Sequence, residues 1–398
     1  MVEQLTADGA LDYPAKFRAY IVRTTQALLA HVPSSVNPPW DERICTRLLH
    51  TLSFALAVDG AWPATRDLLF QVTSEMERTG QWHRWLPYLH QGIQHSRRLA
   101  DQSACAELCF HLGVFYRALA KYEEAEKWLH ESLAHYRALD DRRNQGKVRN
   151  RLAFLERLCG RPHLAQQSAH CALQLLDAHD DERAVSYSIL ATVAYDQFEW
   201  PVAADYYAQA LAIYERNNNL RMKGRVLADL AIVQGKLGMN GAAIASFEDA
   251  LALLEHLHLP IQVALARMNL GSLYLGMNQP QQALLQYNLA EPVLRAAHDL
   301  RRVAFVLSNQ GIAYRYLGES GLAIQTLVES IRCAQQTQNF ELLVNIYDEL
   351  GMTHRVLGQE DDAQLAFEQA VNHLQMVENP SAQSHYATVI AAHRIAVA

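Results

Sequence analysis

The sequence predicts an all-α fold in which pairs of helices repeat along the chain and stack into a right-handed solenoid with helical caps. Three observations predict this class. The segment that begins at Met268, MNLGSLYLGMNQPQQALLQYNLA, returns forty residues later as SNQGIAYRYLGESGLAIQTLVES and again as DELGMTHRVLGQEDDAQLAFEQA. Good helix formers (Ala, Leu, Gln, Glu and Arg) dominate these segments. Their apolar residues recur at intervals of three and four, which is the period of one helix face.

A small residue recurs at three positions of every repeat. The first lies within the predicted first helix, the second twelve residues later, and the third a further seven residues on. We expect the helix backbones to approach closely at these positions, because a large side chain there would push the helices apart. The three sets are Gly113, Ala153, Ala191, Ala231, Gly271, Gly311 and Gly351; Ala125, Ala165, Ala203, Ala243, Ala283, Ala323 and Ala363; and Ser132, Ala172, Ala210, Ala250, Ala290, Ser330 and Ala370.

Turn residues divide each repeat into two helices. A glycine ends the first helix without steric cost in four repeats, and Pro162 and Pro280 stand just inside a second helix, where a missing N–H is tolerated. Polar pairs such as Asp140-Asp141 and Asn218-Asn219 separate one repeat from the next. The four glycines are Gly160, Gly238, Gly318 and Gly358.

Modified helices are expected at both ends of the repeats, since stacks of this kind need caps with a different outer face. The segments PAKFRAYIVRTTQALLAHV and DERICTRLLHTLSFALAV read as two N-terminal helices, and a degenerate repeat follows, with Trp85 and Gly92 at two small-residue positions. We predict an N-terminal helical cap over 1–62, a repeat region over 63–378 and a C-terminal capping helix over 379–398. Four tryptophans are expected to pack in the N-terminal core: Trp40, Trp62, Trp82 and Trp85.

Composition excludes several classes of protein. The formal net charge is −7, which argues against a nucleic-acid partner. No run of about 18 apolar residues predicts a membrane span, and the N-terminus lacks the pattern of a signal peptide. The six cysteines show no C-x-x-C spacing, so we interpret Cys105 and Cys109 as buried core thiols of a cytoplasmic protein.

No sequence motif indicates chemistry. The chain lacks a P-loop, a G-x-S-x-G elbow, an H-E-x-x-H pair and the Cys/His spacing of a zinc site. His163 and His170, seven residues apart, offer no third ligand at a defensible spacing. Acidic pairs such as Glu123-Glu124 lie at helix starts, where they complement the helix dipole. We therefore expect no enzymatic activity, no cofactor and no metal.

The pattern Leu-Gly-x-x-Tyr, then Gly, then two alanines resembles the tetratricopeptide repeat, and NLGSLYLGMNQPQQALLQYNLA is close to that family's consensus. The usual period is about 34 residues. The forty-residue form is similar to kinesin light chains, spindle-orientation adaptors, the sensor domain of the maltose-regulon activator and bacterial peptide-pheromone receptors. The resemblance covers about residues 66 to 378 and implies about eight helix-turn-helix repeats. Its matching aromatic residues are Tyr116, Tyr274 and Tyr314 in first helices, and Tyr207, Phe247, Tyr287 and Phe367 in second helices.

The resemblance also implies a concave groove lined by the first helices. With the small first-helix residue numbered eight, positions two, five, six, nine, twelve and thirteen face this groove. Position twelve is rich in arginine, and asparagine at position six bonds the main chain of an extended ligand in the resembling proteins. Asp229 departs from that asparagine pattern. The candidate groove residues are Arg117, Lys147, Arg151, Arg157, Tyr195, Arg225, Asp229, Asn269, Asn309, Arg315 and Arg355.

These residues favour non-enzymatic binding of a protein or peptide segment that carries acidic groups, with no role for nucleic acid or membrane. We expect the arginines at position twelve to face solvent, and the locally basic stretch DRRNQGKVRNRLAFLERLCGR to attract carboxylates. One alternative is a ligand-gated regulator or sensor module, similar to the pheromone receptors or part of a larger signalling machine. Another is an enzyme with an unrecognised site, which would show several perturbed titratable groups in one pocket.

Overall fold

A computed structural model describes residues 13–31, 42–79, 82–377 and 380–395. Over these ranges the regular elements are 19 α-helices and one short 3-10 helix, with no strand. The predicted all-α fold of stacked helix pairs is confirmed. The chain divides into two compact units, Met1–Val193 and Ala194–Ala398, which are described separately. Within the described part of the chain, no helix combines the length and apolar character needed to cross a membrane.

The first unit contains the N-terminal helices and the first repeats. Helices joined by three-residue connections pack as antiparallel pairs, most extensively α5 with α6 and α7 with α8. Its helices are α1 (Tyr13–His31), α2 (Glu42–Ala55), the 3-10 helix Asp59–Ala61, α3 (Trp62–Thr79), α4 (Trp82–Arg98), α5 (Gln102–Ala118), α6 (Tyr122–Ala138), α7 (Arg142–Leu158), α8 (Pro162–Leu175) and most of α9 (Asp181–Asp196).

The second unit continues the same arrangement. The first helices of successive repeats, α11, α13, α15 and α17, contact one another, and each packs against the second helix of its own repeat. The helices are α10 (Trp200–Arg216), α11 (Leu220–Lys236), α12 (Asn240–His256), α13 (Pro260–Gly276), α14 (Pro280–Ala296), α15 (Leu300–Tyr316), α16 (Ser320–Gln336), α17 (Phe340–Val356), α18 (Glu360–Leu374) and α19 (Pro380–Ile395).

Most helix connections contain one residue in the left-handed conformation. Gly160, Gly238, Gly318 and Gly358 occupy this place with φ between 68° and 77°, as their predicted role in ending helices requires. Non-glycine residues adopt the same conformation in the other connections, at an energetic cost. Phe198 is the bulkiest of them, with φ of 63°.

The small first-helix residues make room for a large side chain that lies sixteen residues later in the second helix of the same repeat. A Cβ on Gly113 would lie 2.5 Å from Cγ of Leu129, and one on Gly271 would lie 2.6 Å from Cε1 of Tyr287. Both partners are buried. Close approach of the two helices, predicted from the small residues, is therefore confirmed.

The terminal helices bury the ends of the core. Trp62 and Trp85 are buried, with 4 and 0% of their surface exposed, which confirms the core role predicted for these two; Trp40 lies outside the described residues. Helix α19 packs Ile390 into a cluster with Val344 and Leu374, so a C-terminal helix caps the last repeat as expected.

Replacing Gly311 with alanine should lower the free energy of unfolding by about 1–3 kcal/mol. Its new Cβ would lie 2.6 Å from Cγ of the buried Leu327, and that strain exceeds the gain in helix propensity of about 1 kcal/mol. Chemical denaturation measures the change. The matched control is Gly321→Ala in α16, where a Cβ would meet no atom within 4 Å and stability should be unchanged or slightly higher. Equal effects at both positions would contradict the close packing at Gly311.

Candidate functional site

The basic residues predicted as a groove patch in the first unit already have acidic partners. Nζ of Lys147 lies 3.2 Å from Oε1 of Glu107 and 4.1 Å from the centre of the Phe110 ring. A guanidinium nitrogen of Arg151 lies 3.2 Å from Oε1 of Glu182. Each pair joins the first helices of neighbouring repeats, so these positive charges hold helices together and are not free for an acidic partner.

The two other arginines of this unit, Arg117 and Arg157, are half-buried. Cζ of Arg117 lies 5.1 Å from the centre of the Phe154 ring, at a distance typical of a cation–π contact. The expectation that they face solvent is therefore wrong. Their role in binding stays a prediction.

Arg315 and Arg355 in the second unit are also half-buried and bonded within the protein. Arg315 lies 2.7 Å from Glu349, and their side chains are only 14 and 20% exposed. Arg355 donates a hydrogen bond to the carbonyl of His393 in α19. The ring of His393 in turn lies 2.7 Å from the buried carboxylate of Asp348. The capping helix thus occupies part of the predicted groove, and the expectation of solvent-facing arginines is wrong here too.

Two other predicted residues, Tyr195 and Asn269, come together at a surface depression of about 400 Å³. The depression is formed mainly by α11 and α13, whose last turns bring glycines and a lysine to its rim. Its lining residues are Tyr195, Ala231, Ile232, Gly235, Lys236, Asn240, Phe247, Asn269, Ser272, Leu273, Gly276, Met277 and Phe305.

The two asparagines of the predicted ladder differ in their bonding. Nδ2 of Asn309 donates a long hydrogen bond of 3.5 Å to Oγ of Ser272, which also accepts from the Tyr287 hydroxyl at 3.1 Å. Asn269 is half-buried, and its side chain makes no hydrogen bond to any described residue. Its carboxamide therefore offers a donor and an acceptor to a bound molecule.

A second depression of about 280 Å³ adjoins the first and shares Tyr195 and Lys236 with it. Phe198 and Trp200 form part of its wall, with ring centres 6.3 Å apart in an edge-on arrangement. Phe198 is 77% exposed and has the left-handed backbone described above. We call the two depressions together the Lys236 surface.

Lys236 itself is exposed and lies within 4.0 Å of no acidic group among the described residues. The ion pairs that join first helices elsewhere are also missing between α11, α13 and α15 in the structure as described. Position thirteen is one of the predicted groove positions, but the candidate residues come from positions two, six and twelve, so Lys236 is not among them. Lys236 stands at position thirteen, where none of the other six regular repeats carries a cation.

Asp229, the predicted exception in the asparagine row, is half-buried on α11 and is not hydrogen-bonded to any described residue. Burial raises the pKa of its carboxyl from 3.8 to about 6, and the positive charge of the exposed Arg225 opposes this shift. A fraction of the protein molecules therefore carries a protonated, neutral Asp229 in mildly acidic solution.

Two segments of the chain match a known family. The tetratricopeptide repeat family matches residues 182–256 and residues 111–139. The matched segments contain helix pairs and small-residue contacts of the kind described above. The chain therefore contains tetratricopeptide repeats within these two segments.

Several solved structures share the fold of this chain. A STAND signal-transduction ATPase with a tetratricopeptide repeat sensor, from Pyrococcus horikoshii, is 14% identical with a TM-score of 0.67 over 93% of this chain; the chain spans only 55% of that protein's length. Aspartyl phosphate phosphatase F from Bacillus subtilis is 12% identical with a TM-score of 0.57, covering 94% of this chain and 96% of that one. A Rap protein complexed with competence and sporulation factor is 14% identical with a TM-score of 0.53, covering 87 and 98%. Identities this low show the fold alone.

Substituting Arg315 with alanine should lower the free energy of unfolding by about 1–3 kcal/mol, because Glu349 would be left half-buried without its partner. Denaturant titration of the purified variant measures this. Arg301→Ala is the matched control, since Arg301 lies on the same helix and is exposed; its cost should stay within about 0.5 kcal/mol. If Arg315→Ala were as mild as its control, the ion pair would contribute nothing to the stack.

Replacing Asp229 with asparagine should stabilise the protein at pH 7.5 by about 1–2 kcal/mol, a figure reduced for partial exposure. The folded-state pKa of about 6 exceeds the ordinary value of 3.8, so the native state holds the proton more tightly. The contribution of this carboxyl is present at low pH and is lost as pH rises through about 6. Denaturation from pH 4 to 8 should show the advantage of Asp229→Asn shrinking toward pH 4. The exposed Asp249 supplies the control, Asp249→Asn, and a pH-independent gain would refute the assignment.

Proposed function

We propose that this protein binds an extended peptide segment of a partner at the Lys236 surface, without catalysing a reaction. The observation that carries the proposal is that two polar side chains without a bonding partner among the described residues lie beside aromatic rings in one depression. Asn269 and Lys236 lack bonds to described residues, and Tyr195 and Phe305 line the same depression.

An extended peptide matches the chemistry of this surface. A carboxamide such as that of Asn269 can donate to a main-chain carbonyl and accept from a main-chain N–H. The depression of about 400 Å³ is bordered by Phe305, which is 38% exposed and offers apolar area to a ligand side chain. Main-chain bonds would supply affinity, and the aromatic walls would select side chains.

The sequence predicts a partner that carries acidic groups. We assign recognition of such a group to Lys236 and not to the arginines. Arg315 and Lys147 are neutralised by acidic neighbours, whereas Lys236 has none within 4.0 Å in the described part of the chain. A carboxylate of the peptide, from Asp, Glu or a C-terminus, would pair with its ammonium group in a charge-assisted bond.

The comparisons support binding of this kind. One solved structure that shares this fold of repeated helix pairs is a Rap protein complexed with competence and sporulation factor. A second candidate function is a sensor module, favoured by the match of 93% of this chain to a protein described as having a tetratricopeptide repeat sensor. The two candidate functions differ in the effect of binding, since a sensor changes conformation when it binds its ligand and a scaffold does not.

A peptide-display selection on the immobilised protein, followed by titration of the enriched peptides, tests the proposal. Lys236→Glu and Asn269→Ala should each weaken binding at least tenfold, the loss expected for a charge-assisted or buried hydrogen bond of about 1.5 kcal/mol. Lys127→Glu and Asn372→Ala, both exposed and not among the residues that line the two depressions, should bind as the parent does.

Unchanged affinity in both test variants would reject the Lys236 surface. Hydrogen–deuterium exchange with and without a selected peptide separates the two candidates. Protection confined to α11 and α13 fits a scaffold, and changes spread through helices remote from the peptide fit a sensor.

A further inference from the structure

Three metal-ligating side chains meet between α5 and α6 in the first unit. Sγ of Cys105 lies 3.3 Å from Nε2 of His135, which lies 3.9 Å from Oε1 of Glu131. All three ligand atoms are within 4.8 Å of one another, and no other such group of His, Cys, Asp or Glu occurs among the residues that the structure describes. The function proposed above uses none of them.

The spacing of these atoms is close to that around a tetrahedral zinc ion. Bond lengths of about 2.3 Å to sulfur and about 2.0 Å to nitrogen or oxygen place neighbouring ligand atoms roughly 3.3–3.6 Å apart. The separation between Cys105 and His135 already falls in this range. Glu131 would have to move toward His135 by about half an ångström, which a rotation of its side chain supplies.

The helix pair holds the ligands in place. Glu131 and His135 are one turn apart on α6 and therefore share a face. Next to them, the Ser132 hydroxyl donates a hydrogen bond of 2.8 Å to the carbonyl of Ala106 in α5, which fixes the distance between the helices beside Cys105. A site built on two packed helices is more rigid than one built on loops.

The three side chains differ in burial, and the two on α6 are accessible to an ion from solvent. Cys105 is 2% exposed, whereas the side chains of His135 and Glu131 are 27 and 26% exposed, so an ion can enter from their side. Arg97 pairs with Glu131 there. A divalent ion would take over this carboxylate and displace the guanidinium.

We propose that Cys105, Glu131 and His135 form a binding site for Zn²⁺. A thiolate, an imidazole and a carboxylate are the three ligand types that zinc takes in proteins, and three protein ligands leave a fourth position for water or another ligand. Magnesium and calcium prefer oxygen ligands alone. No short sequence motif marks this site, because the ligands on α6 follow Cys105 by 26 and 30 residues.

Zinc titration of the metal-free full-length protein, in competition with a chromogenic chelator, tests the site. We expect one Zn²⁺ per chain. Cys105→Ser and His135→Gln should each weaken binding at least tenfold, whereas Cys171→Ser and His170→Gln on α8, outside the cluster, should leave it unchanged. Arg97→Gln should bind zinc more tightly, since it frees Glu131. No stoichiometric binding by the parent, parent-like affinity in both ligand variants, or an unaltered affinity in Arg97→Gln would overturn the three-ligand site.

A spectroscopic measurement on the parent protein covers the case in which the ligand variants do not fold. Co²⁺ bound in place of zinc should give a thiolate-to-cobalt charge-transfer band. Absence of that band from the folded parent at saturating Co²⁺ would overturn the proposal, because Cys105 would then not be a ligand. Neither measurement depends on the peptide-binding function.

Discussion

The fit of a large second-helix side chain against a small first-helix residue sixteen positions earlier is the constraint on which the structure depends. Gly311 accepts Leu327 and Gly351 accepts Phe367 in this way, with no room for a Cβ. The contact sets the separation of the two helices in each repeat. Because it recurs at nearly constant spacing, the first helices of each unit present equivalent positions to the same surface.

That regularity explains why several of the predicted groove cations are paired with acids. Side chains on adjacent first helices come within reach of each other, and opposite charges there form ion pairs. Lys147 with Glu107 and Arg315 with Glu349 are examples. Between α11 and α13, where such pairs are absent from the described residues, the surface contains a depression, and the side chains of Lys236 and Asn269 have no bonding partner among those residues.

Helix pairs and their contacts could be predicted from sequence because their causes are local and repeated. A small residue or a turn glycine has the same physical reason in every copy, so the pattern averages out exceptions. The left-handed conformation of Phe198 could not be predicted, because its side chain disfavours that conformation and only the repeat register places it there.

The site was less predictable than the fold. Repeat position assigned Asn269 and Tyr195 to the predicted groove, and both line one depression, but repeat position carries no information about what each side chain contacts across the helices. The exposure expected of Arg315 was wrong because an acid on the next repeat neutralises it. The proposed zinc ligands Cys105, Glu131 and His135 could not be predicted for a similar reason. Glu131 and His135 follow Cys105 by 26 and 30 residues, so the three form no short sequence motif.

Site-specific photocrosslinking tests the central claim, peptide binding at the Lys236 surface, most directly. A photoreactive phenylalanine analogue at Phe305 lies in the first depression, and the same analogue at Leu285, which is 57% exposed on the second helix α14, reports the opposite face of a repeat. With a labelled peptide from the display selection, the account predicts a crosslink at position 305 that excess unlabelled peptide suppresses, and background at position 285. Equal crosslinking at both positions, or crosslinking at 285 alone, would contradict it.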